Sequence, residues 1–179
     1  DTYSKKPAAD PKKMRGAVMC LSPDGKKIEV FATGIRFSPG MAFNDAGDLF
    51  LSDNRGNQNR YEEINHIEKG KFYGNNPRKY EGQNAVDPLV KVKHGVASGG
   101  MRFNRANNHF GGTARDLFMT CWGTNGRWDR GELIRVKLVK MTNGSYKAKE
   151  FPVITQMGKI IDLVFSDHGD LYVAKFGRE

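Results

Sequence analysis

Short apolar runs alternate with turn-forming residues along most of this chain. Gly16 to Leu21 reads as a strand. The turn Ser22-Pro23-Asp24-Gly25 follows, then a second strand over Lys26 to Ala32. Proline followed by Asp-Gly between two apolar runs predicts a hairpin, because Pro presets φ and Gly accepts positive φ. Gly34 to Ser52 predicts two more strands, broken by the turn Asn44-Asp45-Ala46-Gly47. The second of these, Asp48 to Ser52, delivers its chain into a dense polar loop with Asp53, Asn54, Arg55, Asn57, Gln58, Asn59, Glu62, Glu63 and Asn65. Strands that feed polar loops are a common way of presenting a site. Glu63 to Ile67 alternates polar and apolar residues, and residues 75–90, with two prolines, predict a long loop. No stretch carries a convincing 3.6-residue apolar period, so a βαβ architecture is not expected.

The apolar pattern repeats. Met41-Ala42-Phe43 recurs as Met101-Arg102-Phe103 and as Leu163-Val164-Phe165, with the phenylalanines 60 and then 62 residues apart. The following strand recurs as Leu49-Phe50-Leu51, Leu117-Phe118-Met119 and Leu171-Tyr172-Val173, ending near Gly56, Gly123 and Gly177. The middle copy has a longer turn, Arg105 to Ala114. Each period holds about four strands, and four-stranded sheets repeated in this way predict an all-β β-propeller. At roughly 61 residues per blade the chain makes about three blades, whereas closed propellers have about four to eight. Either the remaining blades lie in the rest of a longer protein or a second chain supplies them; the sequence favours the longer protein. Residues 1–15 read as a linker or surface segment and residues 16–179 as a partial propeller.

Composition changes this picture little. The 179 residues hold 29 Lys+Arg against 20 Asp+Glu, a net charge of +9. A basic balance favours acidic partners. Here the charge is spread, apart from Lys5, Lys6, Lys12, Lys13 and Arg15, and no nucleic-acid motif accompanies it. A solvated basic surface is expected, with no nucleic-acid partner. No apolar run of about 18 residues predicts a membrane span. The opening Asp1-Thr2-Tyr3-Ser4 is not a signal peptide, as expected also of a trimmed chain. Cys20 and Cys121 sit in apolar runs and are expected as small buried hydrophobes rather than a disulfide. Asn143-Gly144-Ser145 fits both a glycosylation acceptor and a hairpin turn.

One set of residues resembles a known family. Gly34-Ile35-Arg36, Pro39-Gly40-Met41-Ala42-Phe43, Asp53-Asn54, and Glu63-Ile64-Asn65 followed by Gly70 and Tyr73-Gly74 resemble the glucose/sorbosone dehydrogenase family. The resemblance covers about residues 16–177. It implies a soluble six-bladed propeller, periplasmic or secreted, that uses pyrroloquinoline quinone (PQQ) and calcium to oxidise a sugar hydroxyl or aldehyde. It further implies that Arg36 faces the quinone carboxylates, which a guanidinium fork suits. Asn54, Gly56 and Asn57 would lie in the loop that helps hold the cofactor, with Trp122 as a stacking wall. Glu63, by its carboxylate, and Tyr73, by its main-chain oxygen, would bind a structural calcium ion.

Each of these residues also has a plainer reading. Arg36 serves equally as a strand-end arginine bonding loop carbonyls, and Trp122 as a core residue. Asp53, Glu62 and Glu63 would be ordinary solvated turn acids. Phe72 and Trp128 read as packing residues. The chain also departs from the family pattern: Phe37 follows Arg36, and Thr120-Cys121-Trp122-Gly123 holds no lysine. No histidine precedes His66, which alternation turns away from Glu63 and Asn65, so no catalytic base is assigned. His94, His109 and His168 fall in loops or turns. Three functions therefore stay open: a PQQ-dependent sugar dehydrogenase, a non-catalytic calcium-stabilised propeller acting as a binding or structural module, and a lactonase-like metal-dependent propeller.

Overall fold

The structure is a computed structural model and describes residues 15–54, 61–75, 83–92, 95–108, 110–124, 127 and 129–177. Most of the 1–15 segment, Gly56, Asn57, His94, His109 and Trp128 lie outside the described residues. Among the described residues there are twelve strands and no α-helix. The strands are β1 (Ala17–Leu21), β2 (Ile28–Thr33), β3 (Gly40–Phe43), β4 (Leu49–Asp53), β5 (Glu62–Ile67) and β6 (Val90–Val92). The rest are β7 (Gly95–Phe103), β8 (Leu117–Thr124), β9 (Glu132–Lys140), β10 (Tyr146–Ile154), β11 (Ile160–Phe165) and β12 (Leu171–Lys175). They form two four-stranded sheets, β3-β4-β5-β6 and β7-β8-β9-β10, and two pairs, β1-β2 and β11-β12. This is the blade arrangement of a partial β-propeller.

The chain divides into two compact units. The first holds residues 1–37 and 67–88. Its hairpin turns at Gly25, whose N–H donates to the Ser22 carbonyl at 2.8 Å with φ of 70°. Beyond β2 the segment at 70–75 runs alongside: the Gly70, Tyr73 and Asn75 N–H groups donate to the carbonyls of Phe31, Thr33 and Gly34. Val18, Ala32, Ile35, Ile67, Phe72 and Tyr73 are its buried apolar residues.

The second unit holds residues 38–66 and 89–179. Here the sequence repeat becomes a structural one. Phe43 pairs with Leu49, Phe103 with Leu117, and Phe165 with Leu171, so the three copies share one register. The first strands of the copies, β3, β7 and β11, pack side by side through glycines. A Cβ on Gly40 would lie 2.8 Å from the Gly99 carbonyl oxygen, and one on Gly99 would lie 2.6 Å from that of Ile161. A side chain would hold these backbones apart. On the second strands Ser52 Oγ donates to the carbonyls of Gly40 and Gly99, and Thr120 Oγ1 to that of Gly100.

Strand β8 shows how the blades stack. Leu117, Met119 and Cys121 face one core with Phe50, Ile64, Val90, Val92, Met101, Ile134 and Val136. Phe118 faces a second core with Leu133, Ile160 and Leu163. Successive residues point to opposite faces of a strand, so a strand covered on both sides reads as a continuous apolar run. Cys121 is buried as expected, but Cys20 is exposed, correcting its reading as a buried hydrophobe. The β1-β2 sheet has only two strands, and nothing described covers the outer face of Cys20 and Leu21.

Candidate functional site

Strand β4, which leads into the predicted polar loop, ends at Asp53. Gly40 at the start of β3 pairs with Ser52 near the end of β4. Asp53 and Asn54 therefore emerge where β3 begins, and Glu62 and Glu63 open β5. In the next blade the same end carries Ala97 and Ser98 of β7, Cys121 and Trp122 of β8, and Glu132 of β9. Cys121 pairs with Ser98 on one side and Glu132 on the other.

These acids are not solvated turn residues. Asp53 is wholly buried, and Glu62, Glu63 and Glu132 are buried too. Buried carboxylates need partners, because desolvation penalises the charged form. One partner is explicit: the Ala97 N–H donates to Glu62 Oε1 at 3.1 Å. Ala97 has φ of 53°, a left-handed conformation that costs a residue with a Cβ. The Glu62 bond thus joins the two blades at a strained backbone position. The Asn65 amide donates to Glu63 Oε2 at 3.3 Å, while Asn65 Oδ1 and Ser98 Oγ are buried without a hydrogen-bond partner. Burial pushes the Cys121 thiol well above its ordinary range, with Glu132, Glu62 and Glu150 adding to the shift. It is a neutral thiol and no nucleophile.

Trp122 is half-buried and stacks on Phe176, with ring centroids 5.9 Å apart and planes inclined by 19°. Lys159 Nζ lies 5.8 Å from the Phe176 centroid. It is one layer of a stack at the protein surface rather than a fully buried core residue.

Arg36 and Tyr73 belong to the first unit, and Glu63, Asn54 and Trp122 to the second. Arg36 is half-buried between buried Ile35 and exposed Phe37. Its backbone is fixed by Ile35, whose N–H donates to the Gly16 carbonyl and whose carbonyl accepts from the Asn75 amide. The Tyr73 hydroxyl accepts from the Glu68 N–H at 2.9 Å. Burial is the main cause that pushes this phenol up to about 12; the Glu68 N–H opposes it and the Glu68 charge adds to it.

His66 lies at the opposite end of its blade. It stacks on Phe50 at 5.2 Å, meets Tyr146 edge-on at 5.0 Å and has Nε2 3.9 Å from Asp48 Oδ1. Asp48 also accepts from Lys140 Nζ at 2.7 Å and Tyr146 Oη at 2.5 Å, and the Asn44 amide donates to Tyr146 Oη. This network was not legible from the sequence, since its members lie up to 102 residues apart. Its one local signal is the turn itself, where Asn44 Oδ1 accepts from the Ala46 and Asp48 N–H groups. The contact between Glu62 and Ala97 was likewise not foreseen. His168 occupies the β11-β12 turn. Among the described residues no three His, Cys, Asp or Glu side chains group as a metal centre, and no helix is long and apolar enough to cross a membrane.

Comparison with known proteins completes the description. The chain is similar in fold to the PQQ-bound aldose sugar dehydrogenase of Streptomyces coelicolor, at 19% identity and a TM-score of 0.68, covering 93% of this chain and 47% of that one. It is similar to the soluble aldose sugar dehydrogenase of Escherichia coli, in its apo form, at 23% identity and a TM-score of 0.67, covering 93% and 53%. The PQQ domain of pyranose dehydrogenase from Coprinopsis cinerea, in its holo form, is similar at 13% identity and a TM-score of 0.64, covering 97% and 60%. The chain thus spans about half the length of these solved relatives. No curated protein matches it significantly. The glucose/sorbosone dehydrogenase family profile matches residues 1–178. With that match and the repeated four-stranded sheets, the chain belongs to the glucose/sorbosone dehydrogenase family.

Proposed function

We propose that this chain forms part of a PQQ-dependent, calcium-binding sugar dehydrogenase that oxidises a sugar hydroxyl or aldehyde. The family match over residues 1–178 carries this reading. PQQ, when bound, supplies a two-electron acceptor for the hydrogen removed from the sugar. The residues present suit such a ligand chemically. PQQ is a flat tricarboxylate. Arg36 offers a half-buried guanidinium, and guanidinium–carboxylate pairs are strong and bidentate. Trp122, held parallel to Phe176, offers an aromatic surface. The half-buried Asn54 supplies an amide, and Gly56 and Asn57 are further candidates on the same loop.

Calcium suits the donor types as well. It takes six to eight oxygens from carboxylates, amides and main-chain carbonyls. Glu63 offers a buried carboxylate, Asn65 a buried amide oxygen with no hydrogen-bond partner, and Tyr73 a main-chain oxygen. Proton removal from a sugar hydroxyl needs a base within hydrogen-bond reach. His66 and His168 stand at the hairpin-turn end of the blades, so neither is assigned that role.

A second reading has a specific observation behind it. The resemblance implies a lysine touching the quinone in the neighbourhood of Thr120-Cys121-Trp122-Gly123, which holds none, and Thr120 and Cys121 are buried. A propeller that binds calcium but not PQQ would fit. Reconstituting the full-length protein with PQQ and calcium and assaying dye reduction with aldoses separates the two. Sugar-dependent reduction is expected. Calcium-dependent melting with no quinone binding would establish the non-catalytic reading instead.

A further inference from the structure

One turn position of the repeat is filled differently in the middle copy. Gly47, Arg115 and Gly169 occupy equivalent places. Their N–H groups donate to the carbonyls of Asn44, Asn104 and Ser166 respectively. Each is followed by an aspartate, Asp48, Asp116 or Asp170, whose carbonyl accepts from the N–H of that same Asn44, Asn104 or Ser166. All three positions are left-handed, with φ of 79°, 67° and 98°. Glycine adopts this conformation freely, whereas a residue with a Cβ is strained in it. Two copies use glycine and the middle copy keeps an arginine.

The fold does not explain that arginine. Its side chain is 74% exposed, and its Nε lies 3.6 Å from Oδ2 of Asp45, itself 48% exposed. An ion pair so open to water adds little stability. Strain retained without a structural return points to a site. Arg115 lines a cleft of about 450 Å³ between the β3-β4 turn and the β7-β8-β9-β10 blade. Half-buried Phe103, Leu138 and Tyr146 form its apolar floor, and exposed Asp45, Arg115 and Lys140 its rim. An apolar lining with a few polar groups, at this size, is typical of a small-molecule site.

The rim and floor select the ligand class. Lys140 binds Asp48 and Arg115 neighbours Asp45, so two cations are matched by two carboxylates and an anion gains little there. Arg115 and Lys140 offer donors, and Asp45 beside them offers acceptor oxygens. A sugar hydroxyl both donates and accepts, and the apolar C–H face of a pyranose ring suits the rings of Phe103 and Tyr146. We propose that this cleft, at the hairpin-turn end of the blades, binds a neutral saccharide, with Arg115 as the residue that fixes it. The site needs neither PQQ nor calcium.

Arg115→Gly tests this without threatening the fold, because it removes the guanidinium and relieves the backbone at once. The full-length protein, with no electron acceptor present, is titrated calorimetrically with maltose and with cellobiose. At least one disaccharide should bind with a saturable heat that Arg115→Gly weakens at least tenfold, while the variant melts at or above the temperature of the parent. Inorganic phosphate should give no heat that depends on Arg115. Four results would overturn the proposal: binding of neither disaccharide, an affinity unchanged in the variant, Arg115-dependent phosphate binding, or a lower melting temperature in the variant. The titration reads saccharide binding whether or not the protein reduces dye, so its failure is separate from failure of the dehydrogenase reading.

Discussion

Single residues in this protein are constrained mainly where two backbones approach closely. Gly34 shows the effect most directly. Its φ is +81°, and a Cβ there would lie 2.6 Å from the Phe72 ring and 2.7 Å from the Tyr73 nitrogen. Gly47 has nearly the same φ, +79°, with nothing within 4 Å of the Cβ position. Both glycines read from the sequence as turn or strand-end residues, and only the packing tells them apart. Gly47→Ala should cost about 1–2 kcal/mol, the penalty of a left-handed residue with a Cβ. Gly34→Ala carries that penalty plus the steric overlap and should cost clearly more. Equal melting-temperature losses for the two variants would show that the close packing against Phe72 is not what demands a glycine.

Between elements, the Asp48 network ties the β3-β4 turn to β9 and β10. Burial raises the Asp48 carboxyl, but the bonds from Lys140, Tyr146 and Asn44 outweigh it and hold it below the ordinary carboxylate range. His66 is the other titratable group beside it. A carboxyl depressed on folding stabilises the protein above its unfolded value, about 3.9. That contribution is lost as pH falls through the folded value. Asp48→Asn should therefore destabilise the protein at neutral pH. The gap between variant and parent, measured by denaturant unfolding, should shrink as pH drops below about 4. A gap that stays constant down to pH 2 would mean that the charge of Asp48 contributes nothing. The turns between elements are encoded locally. Turns at Ser22–Gly25, Asn44–Gly47 and Asn143–Ser145 fall where Gly, Asn and Asp mark them, because turn chemistry is local. The sharing of Asp48 by Lys140 and Tyr146 depends on pairing across blades, and no local signal encodes it.

For the whole molecule, the proposed calcium site gives a test that does not require turnover. Glu63→Gln keeps the shape of a buried side chain but removes its charge. In the full-length protein, calcium should raise the melting temperature of the parent, and the variant should lose most of that gain. The gain reflects mass action on the folded state. An unchanged calcium response would remove Glu63 from the site.

The sequence by itself determined the strands, their turns and the threefold repetition. Each rests on apolar alternation and turn residues within a few positions of one another, and Phe43, Phe103 and Phe165 declare the shared register outright. What only the tertiary structure decided was burial and company. Asp53, Glu62 and Glu63 look like solvated loop acids in one dimension, yet they are buried, and Cys20, in an apolar run, is exposed. Whether a strand residue is covered depends on which sheet lies against it, and that neighbour is dozens of residues away along the chain.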